Sequence, residues 1–288
     1  MLHSCDIESW VNNSPDKQQR QFREAVHVIL LAIATSPPLS VQMIMKGAVL
    51  LAVRYDSTRF TRDIDFSTSM KLAEFNKEAF LADLENSMIG ASDILEYGMD
   101  CRVQSHTIRP AREDATFPTL MLKIGYAHLA DKKSHQRLMK KQASQVVKID
   151  YSFNEITQEI DSLEISATDT LSVYSFSDLV AEKYRAILQQ AVRNRFRRQD
   201  AYDLYYLFQN HQPLSDKEKI HILESLKIKS ESRNLLIQKN SMADPEIIER
   251  SRKEYHTLQD EIETTLPDFD LVYSTVRTVY ESLPWSDS

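Results

Sequence analysis

Four glycines in 288 residues, Gly47, Gly90, Gly98 and Gly125, place the sharpest limit on what this chain can fold into. Dinucleotide and P-loop sites cradle phosphates in glycine-rich turns. Neither GxGxxG nor GxxxxGK(S/T) can be written from these four positions, so Rossmann and P-loop nucleotide sites are excluded. Any phosphate site must rest on something else.

A length of 288 residues suits one large domain or two ordinary ones. Hydrophobic residues at 42% and charged residues at 27% are the balance of a soluble globular protein. The longest apolar run, Val26 to Ala34, falls well short of the roughly 20 residues of a membrane helix, and Ser36-Pro37-Pro38 follows it. The start, Met1-Leu2-His3-Ser4-Cys5-Asp6, lacks the basic and apolar regions of a secretory signal. Cys5 and Cys101 are isolated, supporting neither a CxxC zinc site nor a disulfide framework. Reduced thiols suit a cytoplasmic location, with no membrane partner. The net charge of −7 argues against an extended, sequence-independent grip on nucleic acid, but leaves room for a local basic cleft. Two segments could supply one, Lys132 to Lys141 and Arg193 to Arg198; each reads equally well as a solvated face.

Apolar residues at Phe22, Val26, Ile29, Leu30 and Ile33 predict a helix over 17–35, ended by Pro37-Pro38. Leu39 to Met45 has strand character, and Gly47 opens a second helix. Arg59 to Phe66 alternates as a strand, Ile64 and Phe66 on one side and Asp63 and Asp65 on the other. Asn76 to Ser87 reads as helix, and three strand-like stretches fall between Met99 and Tyr151. Lys132 to Lys141 reads as a loop or hairpin tip. Helices follow: one capped by Ser177 and running to about Arg193, then Arg198–Gln209, Asp216–Lys227, a long one from Asp244-Pro245 to about Thr264, and Asp270–Leu283. The change in character near 165–175 divides the chain into a first domain over 1–170 and a helical one over 171–288.

Asp63 and Asp65 flank one apolar residue, so on a strand both carboxylates face the same way and repel. A bridging cation relieves that cost. Mg2+ takes one or two carboxylates plus substrate phosphates, and metal ions so held assist in-line phosphoryl displacement. A DxD alone also describes an acidic edge strand. Upstream, however, Lys46-Gly47-Ala48 stands at a predicted strand-to-helix turn, where glycine permits close backbone approach and the helix N-terminus favours anions. Strand, glycine turn, helix and DxD strand make the layout of a polymerase-type site. Asp150, near a predicted strand end, is a candidate third acid, or simply a strand-end aspartate.

In a second cluster, Asp200 shares a helix face with Asp203 and with Arg197. Lys183 lies on another helix among Leu179, Ala186 and Ile187 and needs an anionic partner. A triphosphate would serve. So would an interhelical salt bridge to Asp200 or Asp203, with no chemistry implied. Tyr202, Tyr205, Tyr206 and Phe208 suit core packing or base stacking.

Together these residues resemble the AbiEii/AbiGii family of nucleotidyltransferase toxins, which includes the MenT-type toxins. Lys46-Gly47-Ala48 followed by Arg59-Phe60-Thr61-Arg62-Asp63-Ile64-Asp65-Phe66 resembles the family's "KGG…R.T.DIDF" signature. Lys183-Tyr184-Arg185-Ala186 resembles its "EKLRA" element, and Arg198-Gln199-Asp200-Ala201-Tyr202-Asp203-Leu204 its "R.KDLYDL" element. The match covers residues 46 to 207. It implies an α+β fold: a polymerase-β-like nucleotidyltransferase core, a mixed sheet with flanking helices, followed by a helical C-terminal region that completes the active-site cleft. It implies transfer of a nucleoside monophosphate from an NTP with Mg2+ or Mn2+, often to the tRNA 3′ end, within a toxin–antitoxin or phage-defence pair with a cognate antitoxin. By position, Asp63 and Asp65 would bind metal; Asp150, which the family pattern does not mark, would be a third ligand. Lys46, Gly47 and Ala48 would line the phosphates, Lys183 would contact the triphosphate and Asp200 would be a further essential acid. Arg59 would support the substrate or the loop, and Arg197 and Arg198 would bind substrate. The chain departs from the pattern at Ala48, where Gly or Ser is usual, and nothing beyond about residue 215 matches. A small-molecule or protein hydroxyl acceptor, which the net charge suits better, and a non-catalytic relative of the same fold stay open.

Overall fold

A computed structural model describes residues 2–3, 6–112, 115–211 and 213–285. Cys5, and with it the reading of the extreme N-terminus, lies outside them. The chain forms two compact units, each discontinuous in sequence. The first comprises Met1–Arg54, Thr61–Glu155 and Ile160–Val173; the second comprises Tyr55–Phe60, Ile156–Glu159 and Tyr174–Ser288.

The first unit contains, in order, β1 (Leu2–His3), α1 (Ile7–Asn12), α2 (Lys17–Thr35), α3 (Pro37–Gln42), β2 (Ile44–Lys46), α4 (Gly47–Tyr55), β3 (Asp63–Ser67), α5 (Lys77–Ile94), β4 (Met99–Arg109), β5 (Thr119–His128), α6 (Lys132–Met139), β6 (Val146–Ser152), β7 (Ile160–Glu164) and β8 (Thr170–Tyr174). All eight strands join one mixed sheet in the order β1-β7-β8-β2-β3-β6-β5-β4. β3 runs parallel to β6 and antiparallel to β2; β5 lies between β4 and β6 and is antiparallel to both. Alternation decides the two faces. Ile64 and Phe66, with Ile149 and Tyr151 beside them and Leu120, Leu122 and Ile124 beyond, point into the core. Helices α2 and α5 cover that side. From Phe22 to Ile33 every residue of α2 except Arg23 is buried, as expected of a helix apolar nearly all round. Phe75, Phe80, Tyr151 and Phe153 add an aromatic cluster beneath it, Phe80 stacked on Tyr151 at 5.5 Å.

Three local readings of the first unit are corrected. Prolines 37 and 38 end α2 but then start α3, since a proline in the first turn sacrifices no helical hydrogen bond. The strand is therefore only Ile44–Lys46. The basic stretch after β5 is a helix rather than a loop, opened by Asp131, whose carboxylate accepts from the Ser134 amide at 3.1 Å. Strands β7 and β8 were not anticipated.

The second unit is helical: α7 (Phe176–Leu188), α8 (Arg198–Asn210), α9 (Asp216–Glu231), α10 (Pro245–Arg252) and α11 (Phe269–Glu281). Ser175, not Ser177, caps α7 through a bond from the Asp178 amide at 3.1 Å. Helix α7 ends at Leu188, five residues short of Arg193. The long helix expected from Asp244 stops at Arg252, because Glu254 turns left-handed at φ 58° and a 3-10 stretch over Tyr255–Glu261 follows. Tyr202 and Phe208 are buried, so packing accounts for them; Tyr184 lies over Tyr280 at 5.2 Å and donates to the Val276 carbonyl. Buried Asp178 accepts from the amides of Gln158 and Glu159 and from Ser225 Oγ, with Lys229 Nζ 2.9 Å away. That carboxylate, with Lys229 Nζ donating to the Ile156 carbonyl at 2.6 Å, ties the 156–159 segment into this unit.

Candidate active site

In the first unit, β3 presents Asp63 and Asp65 on the face opposite the core, both half-exposed, while Ile64 and Phe66 are fully buried. Register sets their neighbours. Asp65 stands beside Lys46 on β2 and beside Asp150 on β6; Asp63 stands beside Lys148. Three carboxylates thus gather on one patch of sheet. Burial and the nearby Asp63 charge raise the Asp150 carboxyl above its ordinary value, against the pull of Lys148 and Lys46. Lys148 Nζ lies 3.4 Å from Asp63 Oδ1, an ion pair between two half-exposed side chains; that oxygen is itself buried and accepts no hydrogen bond. Lys46 Nζ is 3.7 Å from buried Glu155, a carboxylate sequence reasoning missed.

Gly47 explains itself here. Its φ of +79° is a conformation side chains rarely adopt, and a Cβ on it would lie 2.1 Å from Asp65 Oδ2. The strand-to-helix turn therefore presses directly on the Asp65 carboxylate. Ala48 follows, buried in the first turn of α4.

Among the described residues no three His, Cys, Asp or Glu side chains converge closely enough to hold a cation unaided. The donors on this face are nevertheless hard oxygens, and a pair of carboxylates completed by phosphate oxygens is a set that Mg2+ accepts. The residues fit such an ion together with a nucleotide.

The second unit gathers the other candidates. Lys183 Nζ donates to Asp200 Oδ1 at 3.1 Å and to Asp203 Oδ2 at 2.6 Å. Arg59 donates to both Asp203 oxygens, from Nε and Nη2, at 2.8 Å each. This two-point grip suits guanidinium geometry. Glu261 accepts from Arg59 Nη1 at 3.4 Å and from Arg198 Nη2 at 2.8 Å. Arg197 Nη1 is 3.7 Å from Asp200 Oδ2, an oxygen with no hydrogen bond. Lys183, Arg59, Asp200 and Asp203 are all buried. Burial alone would raise the Asp203 carboxyl; Arg59 and Lys183 outweigh it and hold it down to about 2. The same carboxylates raise Lys183 against its own desolvation. The salt bridge weighed from helix spacing is therefore present. Asp203 is its centre, a role that its position three residues after Asp200 only hinted at, and no local signal marked Glu261.

Two crystal structures from Helicobacter pylori share the fold. One is JHP933, at 15% identity and a TM-score of 0.55, with 94% of this chain and 93% of that one covered. The other is of a protein proposed to be a nucleotidyltransferase, at 13% identity and a TM-score of 0.52, covering 93% of this chain and 95% of its own. At such identities the likeness concerns fold alone. No protein of curated function matches the chain in sequence. The family model described as the nucleotidyl transferase AbiEii toxin of type IV toxin–antitoxin systems matches residues 29–281, carrying both the DxD strand and the Lys183–Asp203 network, and the chain belongs to that family.

Proposed function

We propose that this toxin transfers a nucleoside monophosphate from an NTP to RNA, with the tRNA 3′ end as acceptor, and that its first unit is a polymerase-β-like core working with Mg2+ or Mn2+ in the cytoplasm. The observation that carries this reading is the packing of the Gly47 turn against Asp65, on the face that Asp63 and Asp150 share. Asp63 and Asp65 would hold the ion, with Asp150 as third ligand. A divalent ion bound there supplies charge neutralisation for the transferring phosphoryl group and activation of the attacking hydroxyl. Backbone amides of Gly47 and Ala48, at the N-terminus of α4, suit the phosphates, and Lys46 adds positive charge beside them. Lys183 contributes to triphosphate binding, Asp200 serves as a further essential acid, and Arg197 and Arg198 bind phosphate. The grip of Arg59 on Asp203 supports it as the residue that steadies the segment leading into β3.

The test is incubation of the protein with total tRNA, Mg2+ and each α-labelled NTP in turn, beside an Asp63→Ala, Asp65→Ala control. Label on RNA from the wild type alone is expected. The net charge of −7 favours a second reading, transfer to a small-molecule or protein hydroxyl. Label on protein, or NTP consumption without labelled RNA, would select it. No turnover with any NTP and no metal binding would mean a non-catalytic relative.

A further inference from the structure

Helix α6 and the sheet face beneath it carry a run of exposed cations. Between Thr119 and Lys148 there are seven Lys or Arg residues and one acidic residue, Asp131, in a chain whose net charge is −7. Lys123, Lys132, Lys133, Arg137, Lys140, Lys141 and Lys148 are all exposed. Among the described residues only Lys148 of these seven makes an ion pair, with Asp63.

Their placement is ordered. Asp63, Lys148, Lys123 and Ser105 lie side by side on β3, β6, β5 and β4, all on the face opposite the core. With neighbouring strands about 4.8 Å apart, Lys123 lies roughly 10 Å from the Asp63 position. Helix α6 lies across the same face. Buried Leu138 anchors it, His135 Nε2 is 2.9 Å from Asp100 Oδ2, and Gln104 Oε1 accepts from the Ala143 amide at 3.1 Å. Gly125 leaves room, since a Cβ there would meet Ala143 Cβ at 2.6 Å. With its inner side so fixed, α6 turns Lys132, Lys133, Arg137 and Lys140 outward.

We infer that this strip, from Lys148 through Lys123 to the outer side of α6, is the surface on which the phosphate backbone of the acceptor RNA lies. The inference rests on the reading above that the acceptor is RNA. Exposed cations spaced along one face beside an acidic centre hold a polyanion's backbone without reading its sequence. The contact between His135 on α6 and Asp100 on β4 beneath it keeps the helix in place rather than contributing to binding.

The experiment measures anisotropy of labelled total tRNA with the full chain, in EDTA and without NTP, over a range of salt. K132E/K133E/K140E/K141E is compared with wild type and with K217E/K227E on α9, all checked by circular dichroism and melting. Should the reversed set not fold, the four Lys→Gln changes replace it. The α6 variant is expected to bind at least tenfold more weakly, with a log–log salt slope shallower by on the order of 3, while the α9 variant stays within twofold of wild type. Equal affinity and equal slope for the α6 variant would overturn the inference. So would displacement of labelled tRNA by poly-glutamate at a lower charge concentration than unlabelled tRNA requires, which would mark the strip as a surface for an acidic protein. Because binding is read without NTP, failure of nucleotidyl transfer itself would appear separately, in the labelling assay.

Discussion

Replacing Gly47 by alanine isolates the contact on which the proposed chemistry depends. Two costs combine. A side chain at φ +79° costs about 1–2 kcal/mol. The new Cβ also sits 2.1 Å from Asp65 Oδ2. Ordinary carbon–oxygen contact needs roughly 3.5 Å, so turn and carboxylate must separate by more than 1 Å, at an overpacking cost of about 1–3 kcal/mol. The other glycines supply internal standards. Gly98 has φ +65° with open space around its Cβ, so Gly98→Ala should show the backbone cost alone. Gly90, inside α5 with nothing nearby, should become more stable by about 0.5–1 kcal/mol as alanine. Denaturant unfolding of the three variants should rank them Gly90→Ala, Gly98→Ala, Gly47→Ala, from most to least stable. Adding Asp65→Ala to Gly47→Ala should recover part of the excess over Gly98→Ala, because the colliding carboxylate is gone and only the Cβ at position 65, 2.9 Å away, still has to give. In the labelling assay, Gly47→Ala alone should lose about a hundredfold, the scale of a 1 Å misplacement. The reasoning is refuted if Gly47→Ala and Gly98→Ala are equally stable, or if Asp65→Ala brings no recovery.

Other consequences concern buried groups. His27 is held down to about 4 by burial and hydrogen-bonds the Tyr97 hydroxyl at 3.0 Å. Its unfolded form gains a proton near pH 6.5 while the folded form does not, so stability falls as pH drops from about 6.5 to 4, by on the order of 3 kcal/mol. His27→Phe should flatten that stretch of the stability–pH curve, and an unchanged slope would exclude His27 as its source. Lys183→Met leaves Asp200 and Asp203 buried with one cation fewer and should cost about 3–5 kcal/mol in denaturant unfolding; a cost below 1 kcal/mol would mean that the lysine is not paired in solution. The Cys101 thiol is fully buried and pushed well above its ordinary value by that burial. In a Cys5→Ser background, a thiol reagent should react only as the protein unfolds; rapid reaction of the native protein would contradict the packing of β4.

What could be read from residues alone depended on whether the signal was local. The helix over Lys17–Thr35 and the two sides of β3 follow from apolar period, and both stand as expected. The possibility that Lys183 pairs with Asp200 or Asp203 followed from helix spacing and desolvation. Helix α6 escaped because only Leu138 turns an apolar side chain fully inward; its remaining anchors, the Asp100–His135 bond and the space over Gly125, come from distant strands. β7 and β8 alternate with polar residues such as Asp161, Ser162 and Ser172, which dilute a strand signal that tertiary pairing supplies. The break at Glu254 has neither glycine nor proline to announce it. Glu155 and Glu261 acquire meaning only from partners distant in sequence, Lys46 for the first and Arg198 and Arg59 for the second.

The network around Asp203 also has a timetable. Arg59 precedes Asp203 by 144 residues and Glu261 by 202. At roughly 5–20 residues per second, a ribosome needs about 7–30 s to add the first of these after the arginine, and longer for the second. During that interval the nascent chain carries an arginine destined for burial with nothing yet made to bury it against. The network can close only after Asp203 has been made, so a transcript broken between β3 and codon 203 yields a chain whose β3 strand is complete and whose Arg59 has no carboxylate to hold.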